Sequence, residues 1–189
     1  MEYFLTTVYH KHSNFEISPG ADYMKKKKLF HATVLCVLFC LTVLMTVASE
    51  ASTRMPTFAL ESVRDGKIIK SDSFQGKVLL LTFFATWCPP CAEEVPVLRK
   101  LHNELEGAGF SVVGLSVDQQ GAAVVAKFIE KQDITYPVLL AEAQTTIDFG
   151  GVYGIPVAFL VNKSGNVVKK YTGYIQHDIL EKDIRGLLN

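Results

Sequence analysis

The sequence predicts an α/β protein in which a central mixed β-sheet is flanked by helices. Two apolar runs, 78–84 and 110–117, have the length and composition of strands buried on both faces. Helical spacing follows each run, and strand–helix–strand units pair their strands in parallel through right-handed crossovers. Near the C-terminus, a hairpin pattern at 157–171 adds antiparallel strands to the same sheet.

The elements can be justified in chain order. Short apolar runs at 58–60 and 67–69 flank Arg64-Asp65-Gly66, a pattern that predicts an added N-terminal β-hairpin. Pro89 and Pro90 end the first buried strand and open a helix that extends to about Glu106, since proline is tolerated in a first helical turn. The remaining predicted elements are strand 110–117, helix 122–131, strand 136–140, a short helix at 145–149, strands 157–161 and 167–171, and a closing helix at 177–188.

Composition narrows the function classes. The chain is 49% hydrophobic and 20% charged, which excludes a disordered or low-complexity protein. Lysine plus arginine and aspartate plus glutamate number 19 each, so the net charge is zero and nothing indicates binding to nucleic acid. Four cysteines are too few for a disulfide-scaffold fold.

The N-terminal third contains an export signal. Residues 29–49 have no Asp, Glu, Lys or Arg, and four lysines, 25–28, precede them. A helix of that length rises about 30 Å, enough to cross a membrane, and the lysines hold its start in the cytoplasm. Residues 24–49 are therefore a cleaved signal peptide or an uncleaved anchor. Residues 50–189 form the exported domain, and 1–23 are an uncertain extension that a start at Met24 would omit.

The chemistry centres on Trp87-Cys88-Pro89-Pro90-Cys91, where the first buried strand meets its helix. Cysteines at i and i+3 of a first helical turn can approach to disulfide distance. The helix N-terminus favours a thiolate, so Cys88 is expected to attack a substrate disulfide and Cys91 to resolve the intermediate. Cys88 is also expected to be the more exposed of the two sulfur atoms.

Other uses of the cysteine pair fit less well. A zinc site needs about four ligands, and the exported part offers only two further candidates, His102 and His177, far apart in sequence. Haem attachment requires a histidine after the second cysteine, where Ala92 stands. A purely structural disulfide that closes so small a loop would stabilise little.

These motifs carry a family resemblance. Residues 83–91 resemble the active-site stretch of the thioredoxin superfamily, and 92–96, which end in Glu94-Val95-Pro96, resemble its exported TlpA/ResA-like branch of thiol–disulfide oxidoreductases. Gly154-Ile155-Pro156, followed by an apolar strand, resembles the cis-proline loop of that family. The resemblance covers about residues 53–188 and implies a thioredoxin-like fold.

The resemblance also implies residue roles. Pro156 would have a cis peptide bond and pack against the disulfide, while Ile155 would offer backbone hydrogen bonds to an extended substrate. Trp87 and Pro90 would contribute to the same substrate-binding surface. Glu94 would shuttle a proton for the buried thiol. No cofactor is needed for this chemistry.

The sequence departs from cytosolic thioredoxins at two places. Thr82 stands where those proteins resemble one another in having a buried aspartate, which places more weight on Glu94 as the acid. Pro89 and Pro90 have no N–H to offer the Cys88 thiolate. The thiolate is therefore expected to be less stabilised and the disulfide to be relatively reducing.

The family implies an exported protein at the outer face of a bacterial cytoplasmic membrane, held by residues 29–49 or released. Its expected activity is reduction of protein disulfides, with apocytochrome c as a client and a membrane thiol carrier as electron donor. An exported oxidant or isomerase remains an alternative. A copper chaperone of related fold would use a Cys-x-x-x-Cys motif and a distant histidine, and a thiol peroxidase a Thr-x-x-Cys motif; neither motif is present.

Overall fold

The computed structural model describes Lys27, Phe30, His31, Val34, Leu35 and residues 53–189. The chain divides into two units, Met1–Glu50 and Ala51–Asn189. The described residues of the first unit are helical. Most of the predicted signal or anchor segment, and all of 1–23, lie outside the described residues. Within the described part of the chain, no helix is long and apolar enough to cross a membrane.

The second unit contains seven strands and four α-helices among its described residues. The strands are β1 (Ala59–Glu61), β2 (Ile68–Lys70), β3 (Val78–Phe84), β4 (Phe110–Ser116), β5 (Val138–Leu140), β6 (Val157–Val161) and β7 (Val167–Thr172). The helices are α1 (Pro89–Leu105), α2 (Ala122–Lys131), α3 (Ala143–Asp148) and α4 (His177–Leu188), with short 3-10 turns at Ser71–Phe74 and Glu106–Ala108.

The strands form the predicted mixed sheet. Its order is β5-β4-β3-β6-β7, in which β3, β4 and β5 are parallel and β6 and β7 are antiparallel to their neighbours. β1 and β2 pair separately as the predicted N-terminal hairpin. Strand β5 is shorter than predicted because Pro137 has no N–H for the ladder; its carbonyl accepts a hydrogen bond from Gly114 instead.

Side chains of β3 alternate between two hydrophobic cores. Val78 and Leu80 pack in one core with residues of α1, α2 and α4, whereas Leu79, Leu81 and Phe83 pack in the other with the β1–β2 region. The strand is therefore apolar at almost every position, and each fully buried side chain contributes about 1.5–3 kcal/mol.

The sheet brings two sequence-distant segments to one edge. Phe83, near the carboxyl end of β3, pairs with Val157 at the start of antiparallel β6. The segment after β3 leads to Cys88, and the residue before Val157 is Pro156. The cysteine motif and the proline loop therefore meet at the same end of the central strands, as the thioredoxin-like fold requires.

Candidate active site

Cys88 is the N-cap residue of α1. Its backbone is extended, with φ −98° and ψ 104°, and Pro89 and Pro90 occupy the first helical positions. Proline suits these positions because its fixed φ is helical and its missing N–H would have had no partner within the helix. The Cys88 N–H donates to the Ala85 carbonyl at 3.1 Å, closing a turn between the strand and the helix.

Cys88 and Cys91 form a disulfide. The two sulfur atoms are 2.04 Å apart, and the Cα atoms 5.3 Å. Cys88 is 4% exposed and Cys91 is 3% exposed, so the expected difference in exposure is not seen in the oxidised form. The two cysteines differ instead in position, because Cys88 caps the helix and Cys91 lies inside it.

The amide of Cys91 is the first helical N–H that can reach the Cys88 sulfur. It lies 3.3 Å from Cys88 Sγ. The two prolines remove the earlier donors, as expected, yet one donor from the helix backbone is present. A reduced Cys88 thiolate would therefore keep one backbone hydrogen bond and the favourable helix dipole.

Glu94 lies one turn beyond Cys91, on the buried face of α1, and is 3% exposed. The Ile175 N–H donates to its Oε1 at 2.7 Å. Burial removes water from the carboxylate and raises the pKa of Glu94 to about 7, and the Ile175 hydrogen bond opposes this rise. A carboxyl group with this pKa can both accept and return a proton near neutral pH.

The peptide bond of the proline loop has the cis form that the resemblance implies. The Ile155–Pro156 peptide bond is cis, and Pro156 is buried while Ile155 is half-buried. Among the described residues, the Ile155 backbone has no hydrogen-bond partner. Its N–H and C=O are therefore free to pair with an extended chain.

Exposed side chains border the disulfide. Trp87 is 68% exposed, so it is not part of the core, and Pro90 beside it is also exposed. Tyr153, two residues before Ile155, is exposed as well. Trp87 and Pro90, which precede the two cysteines in the chain, are thus exposed apolar surface that a protein substrate can cover.

One acid near the motif, Asp118, is not among the residues predicted from the sequence. Asp118 follows β4, and its carboxylate accepts hydrogen bonds from the Thr86 N–H at 2.9 Å and the Thr86 hydroxyl at 2.6 Å. Ser116 donates a third, at 2.9 Å. The available signal was an acid directly after a buried strand, because carboxyl ends of neighbouring parallel strands meet at one edge.

The described residues contain no group of three or more His, Cys, Asp or Glu side chains arranged to hold a metal ion. His102 is buried at another position on α1, where its Nδ1 accepts from the Val112 N–H at 3.2 Å. His177 is at the start of α4. Neither histidine forms such a group with the cysteines in this part of the chain.

Comparison with known proteins gives a consistent set of similarities. The family model described as Redoxin matches residues 50–188. A thiol-disulfide oxidoreductase ResA from Bacillus subtilis (strain 168) is 32% identical over 82% of this chain and 91% of its own length. Another ResA, from Bacillus thuringiensis subsp. konkukian (strain 97-27), is 28% identical over 87% of this chain and 99% of its own. The crystal structure of a thiol:disulfide interchange protein of the thioredoxin family from Chlorobium tepidum TLS has a TM-score of 0.69. It is 33% identical and covers 75% of this chain and 100% of its own.

Proposed function

Because the chain belongs to the Redoxin family and is a ResA-like thiol–disulfide oxidoreductase, we propose that it works as a reductant of exported protein disulfides. The observation that carries the proposal is the buried Glu94 carboxyl, one helical turn from Cys91 and with a pKa of about 7. A carboxylate of this kind can accept the proton of a buried thiol at neutral pH, and the resulting thiolate can then attack a disulfide.

Reduction proceeds in two thiol–disulfide exchanges. The Cys88 thiolate attacks one sulfur of the substrate disulfide, forming a mixed disulfide and releasing the other substrate sulfur as a thiolate. Cys91 then loses its proton to Glu94, and its thiolate attacks the Cys88 sulfur. The Cys88–Cys91 disulfide forms and the second substrate thiolate leaves. Two electrons pass to the substrate, and two protons, one of them from Glu94, convert its sulfurs to thiols.

The proline loop would hold the substrate during the first exchange. The unpaired backbone of Ile155 can hydrogen-bond an extended segment around the substrate cysteine. Trp87, Pro90 and Pro156 would contact the same segment.

Apocytochrome c is the client we propose. Its haem-attachment motif is Cys-x-x-Cys-His, and both cysteines must be reduced before haem can be attached. The reaction consumes the dithiol, so a membrane thiol carrier would have to return two electrons to Cys88–Cys91 after each turnover. Similarity to ResA proteins supports the activity, and the client and donor are part of the proposal.

Trapping tests this client directly. A Cys91→Ser variant retains the attacking thiol but cannot resolve the mixed disulfide, so it should accumulate a covalent adduct with an oxidised Cys-x-x-Cys-His peptide. A Cys88→Ser variant should form none. Wild-type protein should reduce this peptide faster than a peptide of scrambled sequence with the same disulfide loop. Equal rates for both peptides would contradict the choice of client without contradicting the exchange activity.

We further propose that the domain works at the outer face of a bacterial cytoplasmic membrane. The support is the sequence pattern of four lysines before the uncharged segment 29–49. Fractionation of cells that make the full chain, with protease added to intact spheroplasts, tests both location and orientation. The expected result is a membrane-associated or released domain that external protease can reach, whereas a protected domain would contradict the proposal.

A further inference from the structure

Asp118 makes contacts that the exchange mechanism has not used. Its carboxylate accepts both hydrogen bonds that Thr86 donates, Oδ2 from the N–H and Oδ1 from the hydroxyl. Thr86 is two residues before Cys88, in the turn between β3 and α1. One side chain, 32 residues away along the chain, therefore anchors the approach to the attacking cysteine.

The turn has few other anchors. The Cys88 N–H donates to Ala85, and the Val117 N–H donates to Phe84, at the end of β3. Among the described residues, only Asp118 is hydrogen-bonded to Thr86. Ala85 and Cys88 are buried in the core, whereas Trp87, between Thr86 and Cys88, is exposed. The Asp118–Thr86 contact is thus a side-chain anchor for the turn that leads to Cys88.

Ser116 holds the carboxylate itself in place. Its hydroxyl donates to Asp118 Oδ2 at 2.9 Å and accepts from the Asp118 N–H at 3.2 Å. Ser116 is 1% exposed and is the last residue of β4, so it is fixed by the sheet. The chain of contacts runs from the rigid sheet through Ser116 and Asp118 to Thr86.

We propose that Asp118 is a positioning residue for disulfide exchange: through Thr86 it fixes the turn that presents Cys88 for in-line attack. Attack on a disulfide requires the three sulfur atoms to approach collinearity, so a mobile turn lowers the fraction of productive encounters. This inference rests on exchange at Cys88 and holds in either redox direction.

Loss of the Asp118 charge is a different explanation for any change in exchange rate in an Asp118 variant. A carboxylate near a thiolate would act on it electrostatically. An asparagine separates the two explanations. Its amide oxygen can accept from the Thr86 N–H and from Ser116, and its amide N–H can donate to the Thr86 hydroxyl oxygen. Asp118→Asn therefore preserves the anchor and removes the charge, while Asp118→Ala removes both.

The test measures the second-order rate constant for reduction of an oxidised Cys-x-x-Cys-His peptide by the reduced full chain, with each variant fully folded at the assay temperature. Asp118→Ala is expected to lower it about tenfold, and Asp118→Asn to restore most of the wild-type rate. Thr86→Val, which removes only the hydroxyl, should fall between them. A wild-type rate for Asp118→Ala, or equal losses in Ala and Asn variants, would overturn the proposal.

Asp183→Ala serves as the matched control. This aspartate is also half-buried and also accepts side-chain hydrogen bonds, from Lys169 and Tyr171, but it is a residue of α4 that contacts β7. The Asp183→Ala substitution should lower the melting temperature without changing the rate constant for peptide reduction. A similar slowing in Asp183→Ala would show that loss of stability alone explains the effect and would overturn the positioning role. If wild-type protein fails to reduce the peptide, the proposed client is at fault, and the same comparison is made with a small-molecule disulfide.

Discussion

Burial, not charge pairing, sets the proton affinity of Glu94. The side chain is 3% exposed and accepts a hydrogen bond from Ile175, and its pKa rises from 4.5 to about 7. The native state therefore binds a proton between these pH values that the unfolded chain has released. Stability from this group is fully present below pH 4.5 and is lost as the pH rises to about 7.

Glu94→Gln tests this assignment. Glutamine keeps an oxygen that can accept from Ile175 and cannot ionise. From pH 4 to pH 8, the free energy of unfolding of the wild type should fall by about 3 kcal/mol relative to the variant. Urea unfolding of both proteins at several pH values gives the comparison. Parallel stability curves would show that Glu94 titrates normally and would remove the basis for its proton transfer.

At the scale of elements, the start of α1 governs the stability of the thiolate. Pro89 leaves Cys88 with the Cys91 amide as its nearest helical donor, at 3.3 Å. Pro89→Gly adds an N–H close to the sulfur, and a hydrogen bond to a charged group contributes about 1.5 kcal/mol or more. Because this bond favours the reduced form, the reduction potential should rise by about 30 mV.

The matched control for this prediction is Pro96→Ala. It also adds an N–H to α1, but at an exposed position farther along the helix, so the potential should not change. Equilibration with glutathione buffers measures both variants. An unchanged or more negative potential for Pro89→Gly would contradict the role given to the missing donor.

Neighbouring side chains pack closely against the backbone of β4 at Gly114. A Cβ atom there would lie 3.1 Å from Phe84, 3.3 Å from Val138 and 3.4 Å from Tyr136. Overpacking of this kind costs about 1–3 kcal/mol, so Gly114→Ala should destabilise the domain by that amount in urea unfolding. Gly107→Ala is the control, because its Cβ would meet nothing within 4 Å. Equal stabilities of the two variants would contradict the packing at Gly114.

The sequence predicts an element well when the pattern that indicates it lies in contiguous residues. Strand β3 and helix α2 have the predicted bounds, because an apolar run and a helical period are properties of contiguous residues. Strand β5 is shorter than predicted because Pro137 interrupts the ladder. The Asp118–Thr86 contact could not be predicted, because it depends on the register between β3 and β4 and on side-chain rotamers after each strand ends.

The site residues also divide into features that the sequence predicts and features that depend on the fold. Cys88 and Cys91 are identified by their spacing alone, whereas the cis bond before Pro156 followed only from the family resemblance, since base rates favour a trans bond. The equal burial of the two cysteines was not expected, because the exposure of a side chain depends on the tertiary packing around it. Local chemistry was predictable, and the environment around it required the fold.

At the scale of the whole molecule, the first described residues of the domain pair with the β6–β7 hairpin. The Val167 N–H donates to the Thr53 carbonyl, and the Met55 N–H to the Gly165 carbonyl, each at 2.9 Å. These contacts lie beside the β6–β7 loop, at the end of β6 opposite Pro156. Thr53 and Met55 are thus held at the end of the sheet opposite Pro156.

Cys88, Cys91 and Glu94 all lie within residues 53–189, which predicts that this domain carries out the exchange without residues 1–49. Protein made as residues 50–189 should have the same reduction potential and the same exchange rate constant as the full chain in detergent. Stopped-flow tryptophan fluorescence can follow both, because Trp87 is the only tryptophan and adjoins Cys88. A clearly slower domain would show that residues 1–49 contribute to the site.

The most direct test of a reducing function is the reduction potential of the Cys88–Cys91 pair, measured by equilibrating the protein with glutathione buffers. Because the Cys88 thiolate has few backbone donors, the disulfide form is favoured. The expected reduction potential is therefore strongly negative, about −270 mV as in thioredoxin. A value close to the about −120 mV of a strong periplasmic oxidant would contradict the account, because such a pair would insert disulfides into its substrates instead of removing them.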